Sequence, residues 1–325
     1  MPIAFRGLFT TAILMSAMHV GCPPAIADAL ADAGTARDAI ALLGGFPVEV
    51  ARITTAIERT PLPSGHVSFE CTYPALGRAQ FFVKDHVLRY SSSTAFPELN
   101  LQSKVQPVQV SSKQFAGKFT PILRQWSQAT LPQASAAFSR AADEVRIVQD
   151  EIKGGARPNE LQRTRVISAL DNILASLDTG KTELTTMTRI LSEYLQQQRA
   201  SRESLSHWSM TANTEVKSFA QKTRTEINAQ RCKGDGLDKL GTMERNANAS
   251  ITIITSSIYD LQERTDAADK ALSIVLGTFV GYASRYEAVT DRLKVVKEAP
   301  VGSIIQNLHL TIATKTWQDF VGTAK

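Results

Sequence analysis

The chain has 325 residues, of which 43% are apolar, 21% charged and 7% aromatic, and its formal net charge is +5 at pH 7. This composition excludes a disordered chain and indicates a folded protein with a sizeable core. Because basic and acidic residues are interspersed along the chain, we expect no nucleic-acid partner and only weak attraction to anionic membranes.

The N-terminus has the pattern of an export signal. Arg6 is the only Lys, Arg, Asp or Glu in residues 1–27, and the short apolar run GLFTTAILMSAMHV follows it. Small residues at Ala25 and Ala27 predict signal cleavage near Ala27, which leaves a periplasmic or extracellular protein. The apolar run is too short to span a bilayer as a mature helix. Lipidation of Cys22 is a weaker interpretation, and a first helix retained in a cytosolic protein is the remaining alternative.

Cleavage after Ala27 removes one of the three cysteines and leaves Cys71 and Cys232. In an exported chain these two residues can form one disulfide, which would tie the N-terminal region to the end of a long helix. Two free thiols are equally compatible with the sequence, because connectivity cannot be deduced from spacing.

The region 28–110 is predicted to be the least regular part of the mature chain. An alanine-rich stretch predicts a short helix over 28–45 that ends at Gly44 and Gly45. From there to residue 110 prolines recur, and β-prone runs such as HVSFECTY and QFFVKDHVLRY appear between them. This alternation of prolines and β-prone runs favours irregular structure with one small hairpin.

Beyond residue 110 the apolar residues follow the 3–4 spacing of a coiled coil through most of the chain, with seams that start at Leu131, Val166 and Leu237. The polar turns between these runs are short, so consecutive helices must be antiparallel neighbours. The predicted fold class is therefore all-α: an elongated bundle of very long antiparallel helices with a small irregular, partly β, N-terminal region. The rod is expected to cover 111–325, with helices at about 111–153, 159–232, 237–298 and 303–320.

The sequence contains no complete motif for phosphate binding, metal binding or catalysis. The run DTGKTE around Lys181 has Ala175 at the position where a phosphate-binding loop requires glycine. The histidines show no metal-ligand spacing, although His66 and His86 flank Cys71 and leave a weak metal or thiol site as an alternative. We expect no enzyme activity, no cofactor and no metal site.

The three tryptophans, Trp126, Trp208 and Trp317, lie one to a predicted helix. Tryptophan in an exported helical protein can mark a membrane-interface contact. We favour the other interpretation, in which each indole is a large anchor between helices, because Trp208 lies on the counted seam.

Two uncharged stretches are candidates for membrane or partner contact. In SIVLGTFVGYAS, residues 273–284, several apolar residues lie off the coiled-coil seam beside a G-x-x-x-G pair, so the stretch either packs among several helices or meets lipid. The N-terminal run AIALLGGFPVEV, residues 39–50, is the second stretch. The candidate contact residues are Ala39, Ile40, Leu42, Leu43, Phe46, Ile274, Leu276, Gly277, Val280 and Gly281.

An exported chain of very long antiparallel helices, a short last helix with Trp317 and an extra N-terminal region resembles the cytolysin A superfamily of α-helical pore-forming toxins. That superfamily includes the haemolysin BL and alpha-xenorhabdolysin types. The resemblance implies a secreted toxin or toxin component, which associates with lipid membranes, self-associates there and has sister components as partners. The strongly apolar hairpin usual between two long helices of that family is missing, since both turns between long helices are polar. This departure implies a chain that binds or scaffolds and leaves most bilayer insertion to a partner.

The alternative is a structural or adaptor coiled-coil protein of the cell envelope with no catalytic activity. It requires export and a rod, and it requires no change of shape.

Overall fold

The computed structural model of the protein describes residues 25–74, 87–152, 159–229, 232, 236–295 and 309–324. Within these ranges the chain forms, in order, α1 (Ala25–Arg59), β1 (His66–Pro74), β2 (Val87–Ala95), α2 (Leu101–Gln125), a π-helical turn (Trp126–Thr130), α3 (Leu131–Ile152), α4 (Glu160–Ala229), α5 (Gly236–Val295) and α6 (Leu310–Thr323). The fold is all-α apart from one β-hairpin, as the sequence predicts.

The two longest helices, α4 and α5, form the centre of the rod. They contain 70 and 60 residues, which corresponds to roughly 100 Å and 90 Å at 1.5 Å per residue. The seam of α4 predicted from the sequence is buried almost throughout, and polar Gln198 and Ser201 remain in register with it. On α5 most of the described seam from Leu240 onward is buried, with Tyr282 and Val289 half-buried, whereas Leu237 in the first turn is exposed.

α1 differs from its prediction, because it continues through Gly44, Gly45 and Pro47 to Arg59. Buried positions with the same 3–4 spacing lie on both sides of the glycine pair, at Ala36, Ala39, Leu43, Phe46, Val50, Ile53 and Ile57, and Ile40 and Thr54 are buried beside them. A proline inside a helix costs about 3 kcal/mol. Burial of this apolar face against the rest of the bundle offsets that cost.

α2 also corrects the sequence interpretation, since it begins at Leu101, ten residues before the predicted start, and runs through Pro107 and Pro121. The π-helical turn then joins it to α3 without a break. Pro132 stands just after that turn and has no N–H to donate to the preceding turn. A locally widened helix accommodates the proline ring, and α3 continues to Ile152.

The region expected to be irregular contains one antiparallel hairpin, in which His66 pairs with Ala95 and Cys71 with Tyr90. It is the only sheet in the described ranges. The end of the predicted third helix, 296–298, and the start of the predicted last helix, 303–308, lie outside the described residues. So do residues 1–24, which carry most of the predicted signal peptide.

Candidate membrane-contact site

α1 lies antiparallel along α5. Arg264 of α5 forms an ion pair with Glu49 at 3.5 Å, and Arg52 approaches Asp260 at 3.6 Å. Near the end of α1, the Ser250 hydroxyl donates a hydrogen bond to the Pro61 carbonyl oxygen over 2.6 Å. These contacts fix the register of the two helices, so that the first candidate stretch lies beside the middle of α5.

The segment Ala33–Arg59 of α1 has 27 residues and a best-window mean hydropathy of 1.4, and 39% of that window is buried in the bundle. By length and composition it can cross a membrane, and no other helix in the described ranges meets that test. A buried core helix or a signal sequence near the N-terminus meets it equally well, so this property alone does not define a membrane segment.

The first candidate stretch has one buried and one exposed face. Ala39, Ile40, Leu43 and Phe46 are buried, and the ring of Phe46 meets Phe115 and Phe119 of α2 edge-on at 5.5 and 6.2 Å between centroids. Leu42 points the other way, with 42% of its surface exposed. α1 therefore keeps most of its apolar side chains inside the soluble bundle.

The second candidate stretch, on α5, is open to solvent on its glycine side. Gly277 and Gly281 face empty space, with no atom within 4 Å of a Cβ built on either. Ile274 and Val280 are exposed beside them, and Leu276 is half-buried. The interpretation of this G-x-x-x-G pair as a packed interhelix core is therefore wrong for the described structure. The pair lines a groove of about 370 Å³ next to the start of α1.

The three tryptophans are buried anchors, as expected. Trp317 of α6 stacks on Phe138 of α3 at 5.0 Å and meets Phe279 of α5 edge-on at 4.8 Å. Trp126, in the π-helical turn, lies 6.0 Å from the same Phe279 ring. Trp208 donates its indole N–H to the Leu99 carbonyl over 2.6 Å. These contacts hold α6 and the segment that follows β2 on the bundle.

A small polar network crosses the interface between α2 and α4. The hydroxyls of Ser112 and Tyr194 hydrogen-bond at 3.0 Å, and Gln198 donates its side-chain N–H to Ser111 at 3.2 Å. Burial raises the pKa of the Tyr194 phenol, and the hydrogen bond to Ser112 partly opposes this shift. The network sets the axial register of α2 on α4 and is neutral, so it adds no charge to the core.

The hairpin packs on the end of α4 and α5, opposite α6. Cys71 of β1 forms a disulfide with Cys232, between α4 and α5, across 161 residues of sequence. Around it lies a second small core, whose buried members in the described ranges are Val67, Phe69, Cys71, Ala220, Ile227 and Leu240. No cluster of three or more His, Cys, Asp or Glu able to hold a metal occurs among the described residues.

Sequence reasoning missed that α1 is one long helix although the signal was present. The heptad positions from Ala36 to Ile57 remain in phase across Gly44 and Gly45. Local helix breakers were given more weight than this periodicity, which reports tertiary packing directly.

The described part of the chain thus combines long antiparallel helices, a short last helix and a hairpin at one end. No protein-family model matches the sequence, and no curated protein is significantly similar to it. Among solved structures, the chain is similar to the HblL1 toxin component of Bacillus cereus (TM-score 0.54, 9% identity, 89% of this chain and 94% of that one). It is also similar to the cytotoxin MakB from Vibrio cholerae (TM-score 0.56, 10% identity, 90% and 91%). A third similar structure is soluble SmhB of the tripartite alpha-pore forming toxin Smh from Serratia marcescens (TM-score 0.52, 10% identity, 90% of each chain). At these identities the likeness establishes a shared fold.

Proposed function

We propose that this chain is an exported component of an α-helical pore-forming toxin, which associates with lipid membranes and assembles with copies of itself or with sister components. The observation that carries the proposal is α1, an apolar helix of membrane-spanning length that is packed along one side of a toxin-like bundle. The names of similar structures, a toxin component, a cytotoxin and a member of a tripartite toxin, support the same class.

α1 can move from the bundle into lipid and keep its own apolar face buried, while the move uncovers Phe115 and Phe119 of α2. Its buried face is held mainly by apolar contacts, such as those of Leu43 and Phe46, and lipid tails would cover that face equally well. The ion pairs between α1 and α5 involve side chains that are 34–56% exposed. Pairs of this kind contribute about 0–1 kcal/mol each, so they add little to the barrier.

Charges at both ends of the apolar stretch argue for assembly rather than insertion of a lone helix. Arg37 and Asp38 precede the uncharged residues 39–48, and Glu49 and Arg52 follow them. The last two form an i,i+3 ion pair at 2.9 Å. This pair can enter the bilayer as a neutral unit. A helix of 27 residues is about 40 Å long. The charges on the two sides of the uncharged stretch, at Asp38 and Glu49, are only about 17 Å apart along the helix axis, less than a hydrocarbon core of about 30 Å, so at least one side lies inside the core and faces neighbouring helices.

The test places one carboxylate on the exposed side of α1. Leu42→Asp should leave the soluble fold intact, because Leu42 is 42% exposed. In lipid an aspartate at the middle of a helix costs about 3 kcal/mol, so binding to vesicles should fall by at least about tenfold. Leu161→Asp, at a 69% exposed position in the first turn of α4, is the matched control.

Flotation of phosphatidylcholine–phosphatidylglycerol vesicles, with and without the purified variants, measures the effect without requiring a sister component. Vesicle binding that is lost in Leu42→Asp and kept in Leu161→Asp supports the proposal. Equal binding of both variants would overturn the role of α1. A wild-type chain that never floats would overturn membrane association and favour the envelope coiled coil.

A further inference from the structure

We infer that the disulfide between Cys71 and Cys232 is a redox-sensitive latch, which holds the β-hairpin on the tip of the α4–α5 pair and lets thiols release it. The inference goes beyond the proposed toxin function and does not depend on it. It rests on where the disulfide lies, on the small size of the apolar core around it in the described part of the hairpin, and on which sulfur is accessible.

The two ends of the hairpin are attached in different ways. At its base, the Trp208 indole donates to the Leu99 carbonyl and the Ser250 hydroxyl donates to the Pro61 carbonyl. The ring of Phe96 also meets Phe219 of α4 edge-on at 5.2 Å. The base is therefore anchored to α4 and α5 by hydrogen bonds and an aromatic contact.

Farther along β1, the attachment is the small second core and the disulfide. Gly236, the first residue of α5, leaves room for the strand, because a Cβ there would lie 2.9 Å from the Ser68 carbonyl oxygen and 3.3 Å from Phe69. Among the described residues this core has six buried members, and half-buried Phe219 and Met243 link it to the main core. A two-stranded hairpin is at best marginally stable on its own, so it depends on such contacts.

The disulfide provides the covalent part of this attachment. It joins β1 to the segment between α4 and α5, 161 residues farther along the sequence. Without it, the hairpin can swing away about its anchored base. The apolar faces of Phe69, Ile227 and Leu240 would then be uncovered.

Accessibility decides which sulfur a thiol attacks. Cys71 is fully buried, whereas Cys232 is partly exposed. In the sequence Cys232 stands between Arg231 and Lys233. Positive charge on both sides favours the approach of an anionic thiolate.

The exchange needs two equivalents of an external thiol. The first thiolate attacks Sγ of Cys232, the Sγ–Sγ bond breaks, and the electron pair leaves on Sγ of Cys71, which then takes a proton. A second external thiol displaces the first from Cys232. Two cysteine thiols are formed, and the two external thiols are oxidised to one disulfide.

The experiment compares oxidised and dithiothreitol-reduced full-length protein by amide hydrogen exchange, in a Cys22→Ser background so that one pair of cysteines remains. Reduction should speed exchange over 66–71 and 91–95 by at least about tenfold, since the released hairpin loses its support. Exchange in the middle of α4, over 166–205, should not change. Reoxidation with glutathione disulfide should restore protection.

The variant with Cys71→Ser and Cys232→Ser is the matched control, and its hairpin should exchange fast with or without reductant. Fluorescence of an apolar dye should rise on reduction of the parent and stay constant in the variant. Unchanged hairpin protection after reduction would overturn the latch. Loss of protection along the whole rod would also overturn it, because the disulfide would then be a general staple. No membrane is present in either assay, so the result is independent of vesicle binding.

Discussion

The ring of Phe279 on α5 occupies the space directly in front of Gly180 on α4. A Cβ at Gly180 would overlap this ring, with Cδ1 at 2.9 Å and Cζ at 3.2 Å in addition to a closer contact with Cε1. The ring has little freedom to move, since Trp126 and Trp317 pack against it. Gly180 is therefore a point of close approach between the two longest helices, and not a weak position in α4.

This contact predicts that Gly180→Ala destabilises the bundle although alanine favours helix. Overpacking of a filled core costs about 1–3 kcal/mol, which exceeds the gain of about 1 kcal/mol in helix propensity. Urea unfolding followed by circular dichroism gives the change in the free energy of unfolding.

Gly277→Ala is the control for that measurement, because it makes the same chemical change at a site that faces open space. It should stabilise the protein by about 0.5–1 kcal/mol. Restored stability in the double variant Gly180→Ala, Phe279→Leu would identify the ring as the cause. A neutral Gly180→Ala would contradict the close approach.

A second prediction concerns α6. Trp317 is fully buried, and its indole N–H has no hydrogen-bond partner in the described structure. Trp317→Ala should therefore cost about 3–5 kcal/mol through lost packing. Trp317→Phe should cost far less, because it keeps an aromatic ring and removes an unpaired N–H. Thermal unfolding compares them, with exposed Gln318→Ala as the reference. Equal losses in the two tryptophan variants would contradict a role based on packing.

A third prediction tests the polar contact between α2 and α4. Tyr194→Phe removes the hydrogen bond with Ser112 and keeps the ring stacked on Phe115, whose centroid lies 4.3 Å away. We expect a loss of about 1 kcal/mol in the free energy of unfolding.

A double-mutant cycle with Ser112→Ala isolates this hydrogen bond. The double variant should be no less stable than Tyr194→Phe alone, since neither polar group is then left unpaired. Additive losses would mean that the two hydroxyls act independently.

The export prediction is decided by N-terminal sequencing of the protein recovered from the producing cell. Cleavage after Ala27 should leave Asp28 as the first residue. A diacylated Cys22 would favour the lipoprotein interpretation, and an intact Met1 would contradict export.

The sequence predicts the α4 and α5 seams well because their periodicity persists over long distances and directly reflects burial. It predicts α1 and α2 poorly, since Gly44, Gly45, Pro47 and Pro107 suggest breaks that packing overrides. The pairing of Cys71 with Cys232 depends on where the hairpin folds back, which no spacing encodes. The orientation of the 273–284 stretch depends likewise on the positions of the other helices around α5.

The π-helical turn has a consequence for alignment with other chains. Its closing bond runs from the N–H of Leu131 to the carbonyl of Trp126, so five residues take the place of the usual four. Thr130 and Leu131 are both buried, so the widened turn places two successive residues on the packed face between Trp126 and Ala134. A homologue with one residue fewer between the counterparts of Trp126 and Leu131 would run through as regular α-helix with the same buried face. A single-residue gap placed there, rather than in the adjoining helices, would keep the core positions of the two chains matched.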